Sequence, residues 1–297
     1  MNNFYNEESE EGELTDKYDL HSHTTASDGT NAPAVQVRLA REAGLRGVAI
    51  TDHDTVAGVA EAQAEGGAIG IEVIPGVEIS TVADGRDIHV LGYFIDTGNT
   101  AFLERLKQLR ETRNTRNEMI LRKLASLGIE VSMEEVIQQA RKTPGKDETI
   151  GRPHIAEVLV RKGHASDMAD AFNRYLATGA AAYVNPPRIR PEDAVDWIRE
   201  AGGVPVLAHP GLYGNDELVI RLIEYGIAGI EAYHSDHGPE EEAKYAELAE
   251  QHGLIATAGS DFHGSRGGVV FHAPLGSRTA DASVVERLRA ASATNRR

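Results

Sequence analysis

The sequence predicts an α/β protein whose strands and helices alternate, as in a parallel barrel or sheet, with a helical insertion in the middle. Three observations carry this. Short Val- and Ile-rich runs are each followed by a segment of helical period over residues 18–98 and again over 190–297. Between them, residues 99–189 read as helix after helix with no convincing strand up to about residue 175. Histidines and carboxylates recur at the ends of the predicted strands, which is where the chemistry of such barrels sits.

In chain order, residues 1–17 read as a flexible acidic lead-in. Tyr18 to His23 is a strand, and Ala34 to Ala43 a helix with Pro33 at its start and Gly44 after it. Gly47 to Thr51 is a strand running into Asp52-His53-Asp54, and Val56 to Glu65 is helical. Ile71 to Ile74 leads into Pro75-Gly76-Val77-Glu78, and Ile88 to Phe94 is a strand carrying His89. In the insertion, Leu103, Leu106 and Leu109 mark one apolar face, and Ile120, Leu121, Leu124 and Leu127 another. Ser132-Met133-Glu134-Glu135 is a capping-box start, and Thr143 to Lys146 is a loop. Alternation then resumes: helix Pro191 to Ala201, strand Val204 to Ala208, helix Glu217 to Tyr225, strand Gly229 to Tyr233, helix Pro239 to Gln251, strand Leu254 to Ala258 and helix Val284 to Ala291.

The bulk composition narrows the function. With 297 residues and 41% hydrophobic content, the chain suits one large domain, or a domain with an insertion. The absence of cysteine excludes disulfides, zinc-thiolate sites and cysteine nucleophiles, leaving His, Asp and Glu for any metal. A formal charge of -16 argues against a broad nucleic-acid-binding face, although cations and local arginines can invert the potential inside a cleft. The acidic start and the lack of a long apolar run make a cytoplasmic protein, with no membrane association and no obligate protein partner, the default expectation.

His21 and His23, two apart on a strand, point to one face and form a ready pair of metal ligands, with Asp28 on the following loop. Asp261 and His263 repeat that spacing near the other end of the chain, which is more specific than either pair alone. Glu78, behind Pro75-Gly76, sits on a constrained turn, and a carboxylate can bridge two cations where one imidazole nitrogen cannot. Neutral imidazoles with carboxylates and no thiolate suit Zn, Mn or Fe. Such a site generates and orients hydroxide for in-line displacement at phosphorus.

The ordered set His21-Ser22-His23 with Asp28-Gly29, Thr51-Asp52-His53, Pro75-Gly76-Val77-Glu78, His89-Val90-Leu91-Gly92, Ala208-His209-Pro210 and Gly259-Ser260-Asp261-Phe262-His263 resembles the PHP (polymerase and histidinol phosphatase) superfamily of metal-dependent phosphoesterases. The resemblance implies a distorted seven-stranded barrel with two or three divalent ions. It implies one site from His21, His23, Glu78 and Asp261, a second from Glu78, His89 and His209, and a third from Asp28, His53 and His263. Asp28 stands where some relatives have His, as in the branch acting on nucleotides. Arg113-Asn114-Thr115-Arg116 and Gly151-Arg152-Pro153-His154 in the insertion are similar to the nucleoside 3',5'-bisphosphate phosphatase branch, which also includes 5'-to-3' exonucleases on short RNA. The implied substrate contacts are Asp28, His53, Arg113, Arg116, His154 and His234. Arginines three apart share a helix face and can grip phosphate through two hydrogen bonds each. Asp261 is implied in catalysis through metal binding, and His209, His234 or His263 could protonate the leaving oxygen.

The expected function is hydrolysis of phosphate monoesters of small nucleotides, nucleoside 3',5'-bisphosphate or AMP. Exonucleolytic cleavage of short oligonucleotides is the alternative, and a non-catalytic metal-binding module the alternative of another class. Ordinary roles are expected elsewhere: Arg110 on a solvated helix face, His164, His237, His252 and His272 on the surface or in packing, Trp197 in the core, and Asp52 or Asp54 orienting His53.

Overall fold

The computed structural model describes residues 14–142, 147–266 and 268–295; residues 1–13 of the predicted lead-in and the predicted loop at 143–146 lie outside the described residues. The first half of the barrel runs β1 (Lys17–Asp19), α1 (Pro33–Glu42), β2 (Gly47–Ile50), α2 (Val59–Ile69), β3 (Glu72–Ala83) and β4 (Arg86–Tyr93). The helical segment follows as α3 (Thr100–Ser126), α4 (Met133–Ala140), α5 (Arg152–Arg161), α6 (Met168–Ala171) and a π-helical turn, Phe172–Leu176. The second half is α7 (Pro191–Glu200), β5 (Val204–Leu207), α8 (Asp216–Tyr225), β6 (Gly229–His234), α9 (Pro239–Gln251) and β7 (Ile255–Gly259). A two-stranded ribbon, β8 (Ser265–Arg266) with β9 (Val269–Val270), precedes β10 (Ala280–Asp281) and α10 (Ala282–Asn295).

Among the described residues the main sheet has eight strands in the order β10-β1-β2-β3-β4-β5-β6-β7, one more than expected. Nor is it all parallel. β4 is antiparallel to both β3 and β5, and β10 is antiparallel to β1. The reason for the first reversal is local. Asp84 (φ 52°) and Gly85 (φ 77°) both take left-handed backbone between the paired Ala83 and Arg86. That is a two-residue hairpin turn, and Asp-Gly is the dipeptide that best tolerates it. The sheet almost closes on itself where Leu20 N–H donates to Ala258 O at 3.1 Å and His23 N–H to Phe262 O at 2.9 Å. Strand β1 therefore ends at Asp19, and His21 and His23 lie on its irregular continuation rather than within a strand.

The long helix α3 ties the two parts together. Its N-terminal Phe102, Leu106 and Leu109 pack with the barrel strands, while Ile120, Leu121 and Leu124 join a separate core made only of residues between 120 and 182. Its start is capped by Asn99, whose side chain accepts the Phe102 N–H at 3.0 Å. The predicted capping box of α4 is present, with Ser132 and Glu135 each accepting the other's backbone N–H. The helical segment docks on the loops at the barrel mouth. Thr149 donates its N–H to Ala26 O at 2.8 Å and its hydroxyl to His53 O at 2.6 Å, and Lys142 Nζ reaches Ser27 O at 2.6 Å. Trp197 lies half-buried against the barrel core, under the Arg105 guanidinium. Among the described residues no helix is long and apolar enough to cross a membrane.

Gly259 is packed tightly against His21 at the seam where the barrel closes. A Cβ on Gly259 would lie 2.2 Å from His21 Cβ and 2.7 Å from His21 N. Gly259→Ala is therefore expected to lose about 1–3 kcal/mol through overpacking. Urea unfolding measures this, and an unchanged midpoint would show that the seam relaxes freely.

Candidate active site

Strand ends, together with two positions inside the β3–β4 hairpin, deliver the candidate ligands to one mouth of the barrel. His21 and His23 follow β1, His53 follows β2, Glu78 and His89 face each other's neighbours across the β3–β4 hairpin, His209 follows β5, and Asp261 and His263 follow β7. His209 (φ 26°) and Asp261 (φ 54°) hold left-handed backbone. Such backbone in a non-glycine residue costs on the order of 1–3 kcal/mol and gathers at functional sites.

Four atoms converge in the first expected group. His21 Nε2 lies 3.5 Å from Glu78 Oε2 and 3.3 Å from Asp261 Oδ1, and His23 Nε2 lies 3.3 and 3.0 Å from the same oxygens. In the second group, Glu78 Oε1 lies 2.8 Å from His89 Nδ1 and 3.1 Å from His209 Nε2. In the third, Asp28 lies 3.3 Å from His263 Nε2 and 3.7 Å from His53 Nε2. All nine side chains proposed from sequence as ligands thus meet in one place. His21 Nε2, His23 Nε2, Glu78 Oε2 and Asp261 Oδ1 are buried yet form no hydrogen bond. Orphaned polar atoms are rare in folded interiors, and two imidazole nitrogens with two carboxylate oxygens facing one point are what a divalent cation satisfies.

Carboxylates behind the cluster set its geometry. Glu231, which sequence reasoning missed, lies 3.0 Å from His21 Nδ1 and accepts the His209 N–H at 2.9 Å. This leaves Nε2 of His21 facing the cluster. Its only sequence signal is a lone carboxylate in the apolar run of β6. Asp19 accepts N–H groups from His21, Ser260 and Gly276, and so joins both ends of the chain behind the site. Asp52 and Asp54 do not orient His53 as expected. Asp52 accepts from Thr24 and Ser27, shaping the loop that carries Asp28, and Asp54 pairs with Arg113.

The charges interlock. Burial pushes His21 and His23 down, but Glu231, Asp261 and Glu78 outweigh it at His21, holding it well above the usual imidazole range, and Asp261 and Glu78 outweigh it at His23, raising it to about 10. Burial pushes Glu78 and Asp261 up, but the surrounding imidazoles hold both well below the usual carboxylate range. Burial dominates at His209 and lowers it to about 4.

A cavity of about 300 Å³ opens on this cluster, and it is also lined by Arg113, Arg116, Arg152 and Arg188. Arg113 donates to Asp54 at 2.7 Å and to Ser80, Arg152 donates to Asp87 at 2.7 Å, and Arg188 also pairs with Asp87. The Nε atoms of Arg116 and Arg188 are buried without a partner. Burial, together with Arg113 and Arg152, pushes the Arg116 guanidinium well below its usual range. The four arginines thus outnumber Asp54 and Asp87, the carboxylates paired with them.

Several placements differ from expectation. Arg110 is buried, not solvated, and donates to Asp54 O at 3.1 Å. His154 caps α5, its Nδ1 accepting the Gly151 N–H at 3.0 Å, and it lines a neighbouring cavity rather than this one. His234 is fully buried, 3.5 Å behind Asp261 and off the cavity surface. His272, expected on the surface, lines the cavity with Nε2 3.4 Å from Asp261 and Nδ1 2.7 Å from Asp236. His237 packs as expected, with Nδ1 2.9 Å from Ala232 O.

Residues 19–182, more than half of the chain, match the PHP domain. The chain belongs to the PHP-domain family. It is 41% identical to the 5'-3' exoribonuclease Rnm of Escherichia coli over 83% of this chain and 85% of that one. It is 35% identical to the 3',5'-nucleoside bisphosphate phosphatase of Chromobacterium violaceum, over 82% and 86%. A structure from Bifidobacterium adolescentis, assigned as a metal-dependent phosphoesterase, superposes with a TM-score of 0.84 at 33% identity over 92% and 96%. This PHP chain is a metal-dependent hydrolase of phosphate esters.

In the metal-free PHP site, the proton on His23 stabilises the fold below its ordinary value of 6.5, and that contribution is lost as pH rises through about 10. A cation replaces such protons. Adding a divalent metal to chelator-treated protein near neutral pH is expected to release protons, and affinity to fall as pH falls. An indicator dye in weak buffer measures the release; metal binding without acidification would contradict the proposed donor set.

Proposed function

We propose that this hydrolase removes phosphate from small nucleotides, with nucleoside 3',5'-bisphosphate or AMP as substrate. One observation carries the reading: a single cavity is lined by candidate metal ligands and by four arginines. A phosphate ester with a second anionic group matches both. At about 300 Å³ the cavity is at the small end of ligand pockets, which favours one nucleotide over a polymer.

His21, His23, Glu78 and Asp261 would hold one cation, Glu78, His89 and His209 a second, and Asp28, His53 and His263 a third. Two or three ions of Mn, Zn or Fe suit this mixture of imidazole and carboxylate. When bound, such ions supply a nucleophile at neutral pH and balance charge on the phosphoryl group. The protein's own contribution is position. Glu231 fixes the His21 and His209 side of the cluster, and Asp54 and Ser80 hold Arg113 in a fixed orientation. Arginines held this way lose little freedom on gripping phosphate. The helical insertion, residues 99–189, is the substrate-binding part on this reading, because it supplies Arg113, Arg116, Arg152 and Arg188. His263 and His209 line the cavity, whereas His234 lies behind Asp261, 3.5 Å from its carboxylate.

Exonucleolytic trimming of short RNA is the second reading, favoured by the identity to an exoribonuclease. It shares the metal cluster and differs in how long a ligand the cavity admits.

The test is phosphate release from adenosine 3',5'-bisphosphate, 5'-AMP, histidinol phosphate and a short 5'-phosphorylated RNA, with Mn added and with metal stripped. Metal-dependent release from the first two supports the proposal. Mononucleotides from RNA with little free phosphate would move the assignment to exonuclease. Asp261→Asn is expected to abolish turnover with circular dichroism and cooperative unfolding retained; unchanged turnover would defeat its metal role. Arg116→Ala is expected to cut kcat/KM by about 30-fold or more, the low end of the ~2–5 kcal/mol that loss of a buried charge contact costs. An unchanged kcat/KM would remove Arg116 from the substrate site.

A further inference from the structure

The arginines and metal ligands leave a third part of the cavity unexplained. Phe172 and Phe271 also line it, from two separate parts of the chain. Phe172 begins the π-helical turn of the insertion, and Phe271 follows β9 on the ribbon beyond β7. Their environments differ in an informative way. Phe172 rests partly on the insertion's own core, with part of its surface left at the cavity. Phe271 belongs to none of the apolar clusters formed by the described residues. Its ring contacts are two histidines, His263 with centroids 6.1 Å apart and His272 at 4.8 Å. Its backbone is held by a hydrogen bond from its N–H to Gly264 O at 3.2 Å.

A phenylalanine ordinarily contributes to stability by burying its ring in a core. Phe271 is held in place while its ring stays half-exposed beside the cluster, so core packing does not account for it. A π-helical turn inserts an extra residue into a helix and re-aims side chains, and it recurs at functional sites. Phe172 occupies the first position of such a turn.

We infer that Phe271 and Phe172 form a stacking wall for the nucleobase of the substrate. This rests on the nucleotide reading above and sharpens it. The phosphates meet cations, and the base, an apolar face of any identity, meets two rings. Stacking of this kind tolerates every base because each has a π-face. The enzyme would therefore discriminate nucleotides from base-less sugar phosphates without selecting strongly among adenine, guanine, cytosine and uracil.

The experiment compares adenosine 3',5'-bisphosphate with the same ribose bisphosphate carrying hydrogen in place of the base, in wild type, Phe271→Leu and Phe271→Tyr. Wild type is expected to favour the nucleotide in kcat/KM by about 5- to 150-fold, the usual worth of one stacked base. Phe271→Leu is expected to lose most of that preference through KM, with the base-less substrate unchanged. Phe271→Tyr, which keeps the ring, should retain it. Equal activity of wild type on both substrates, or equal losses on both in Phe271→Leu, overturns the stacking wall while leaving nucleotide hydrolysis intact. Cleavage of neither substrate by wild type overturns the nucleotide reading itself, and the wall with it.

Discussion

The mouth of this barrel is arranged around the buried carboxylate of Glu78. Its side chain is 1% exposed, and its two oxygens lie within 3.5 Å of nitrogens from His21, His23, His53, His89 and His209. An ionised carboxylate in such a place is costly unless it is paired or bound to metal. The partners come from four separate parts of the chain, one of them the hairpin strand β4, so only the folded barrel gathers them. The same convergence leaves Glu78 Oε2 and the facing imidazole nitrogens without hydrogen bonds, and the demand for a cation follows from that deficit.

Around the centre, each supporting carboxylate has a structural task. Asp19 binds the chain's two ends into one seam, Asp52 folds the loop that carries Asp28, and Glu231 holds His21 and the His209 backbone. Opposite them, the middle of α3 turns Arg110, Arg113 and Arg116 inward on one helix face, where helices normally place apolar residues. The cost is met by a barrel mouth already rich in carboxylates and carbonyls. Insertion and barrel thus form one electrostatic unit, in which the arginines of one and the carboxylates of the other face the same cavity.

The candidate ligands were legible because most of them follow a short apolar run, and paired spacing repeats at both ends of the chain. The arginine pair in α3 was legible only through family resemblance, since a polar helix stretch ordinarily faces water. Arg110 shows the limit of pattern alone: nothing in its neighbours distinguishes it from a solvated residue, yet it is buried against Asp54 O. His272 was equally silent. It has no motif spacing, and it reaches Asp261 only because the ribbon after β7 folds back across the mouth. The antiparallel placement of β4 was written in Asp84-Gly85, a turn signal that the search for alternation passed over.

By itself the sequence determined the α/β class, the helical interruption, most element positions and nine candidate metal ligands. These depend on local periodicity, turn chemistry and side-chain type, which are carried within a few residues. The tertiary structure alone decided which groups share an oxygen of Glu78, that Arg188 joins Arg152 on Asp87, that His154 caps a helix away from the cavity, and that Phe271 stands outside every core. Apart from the His154 cap, whose partner Gly151 is three residues away, those relations join residues tens to hundreds of positions apart. They exist only once the sheet has curled until β1 meets β7, because closure is what brings strand ends together in space.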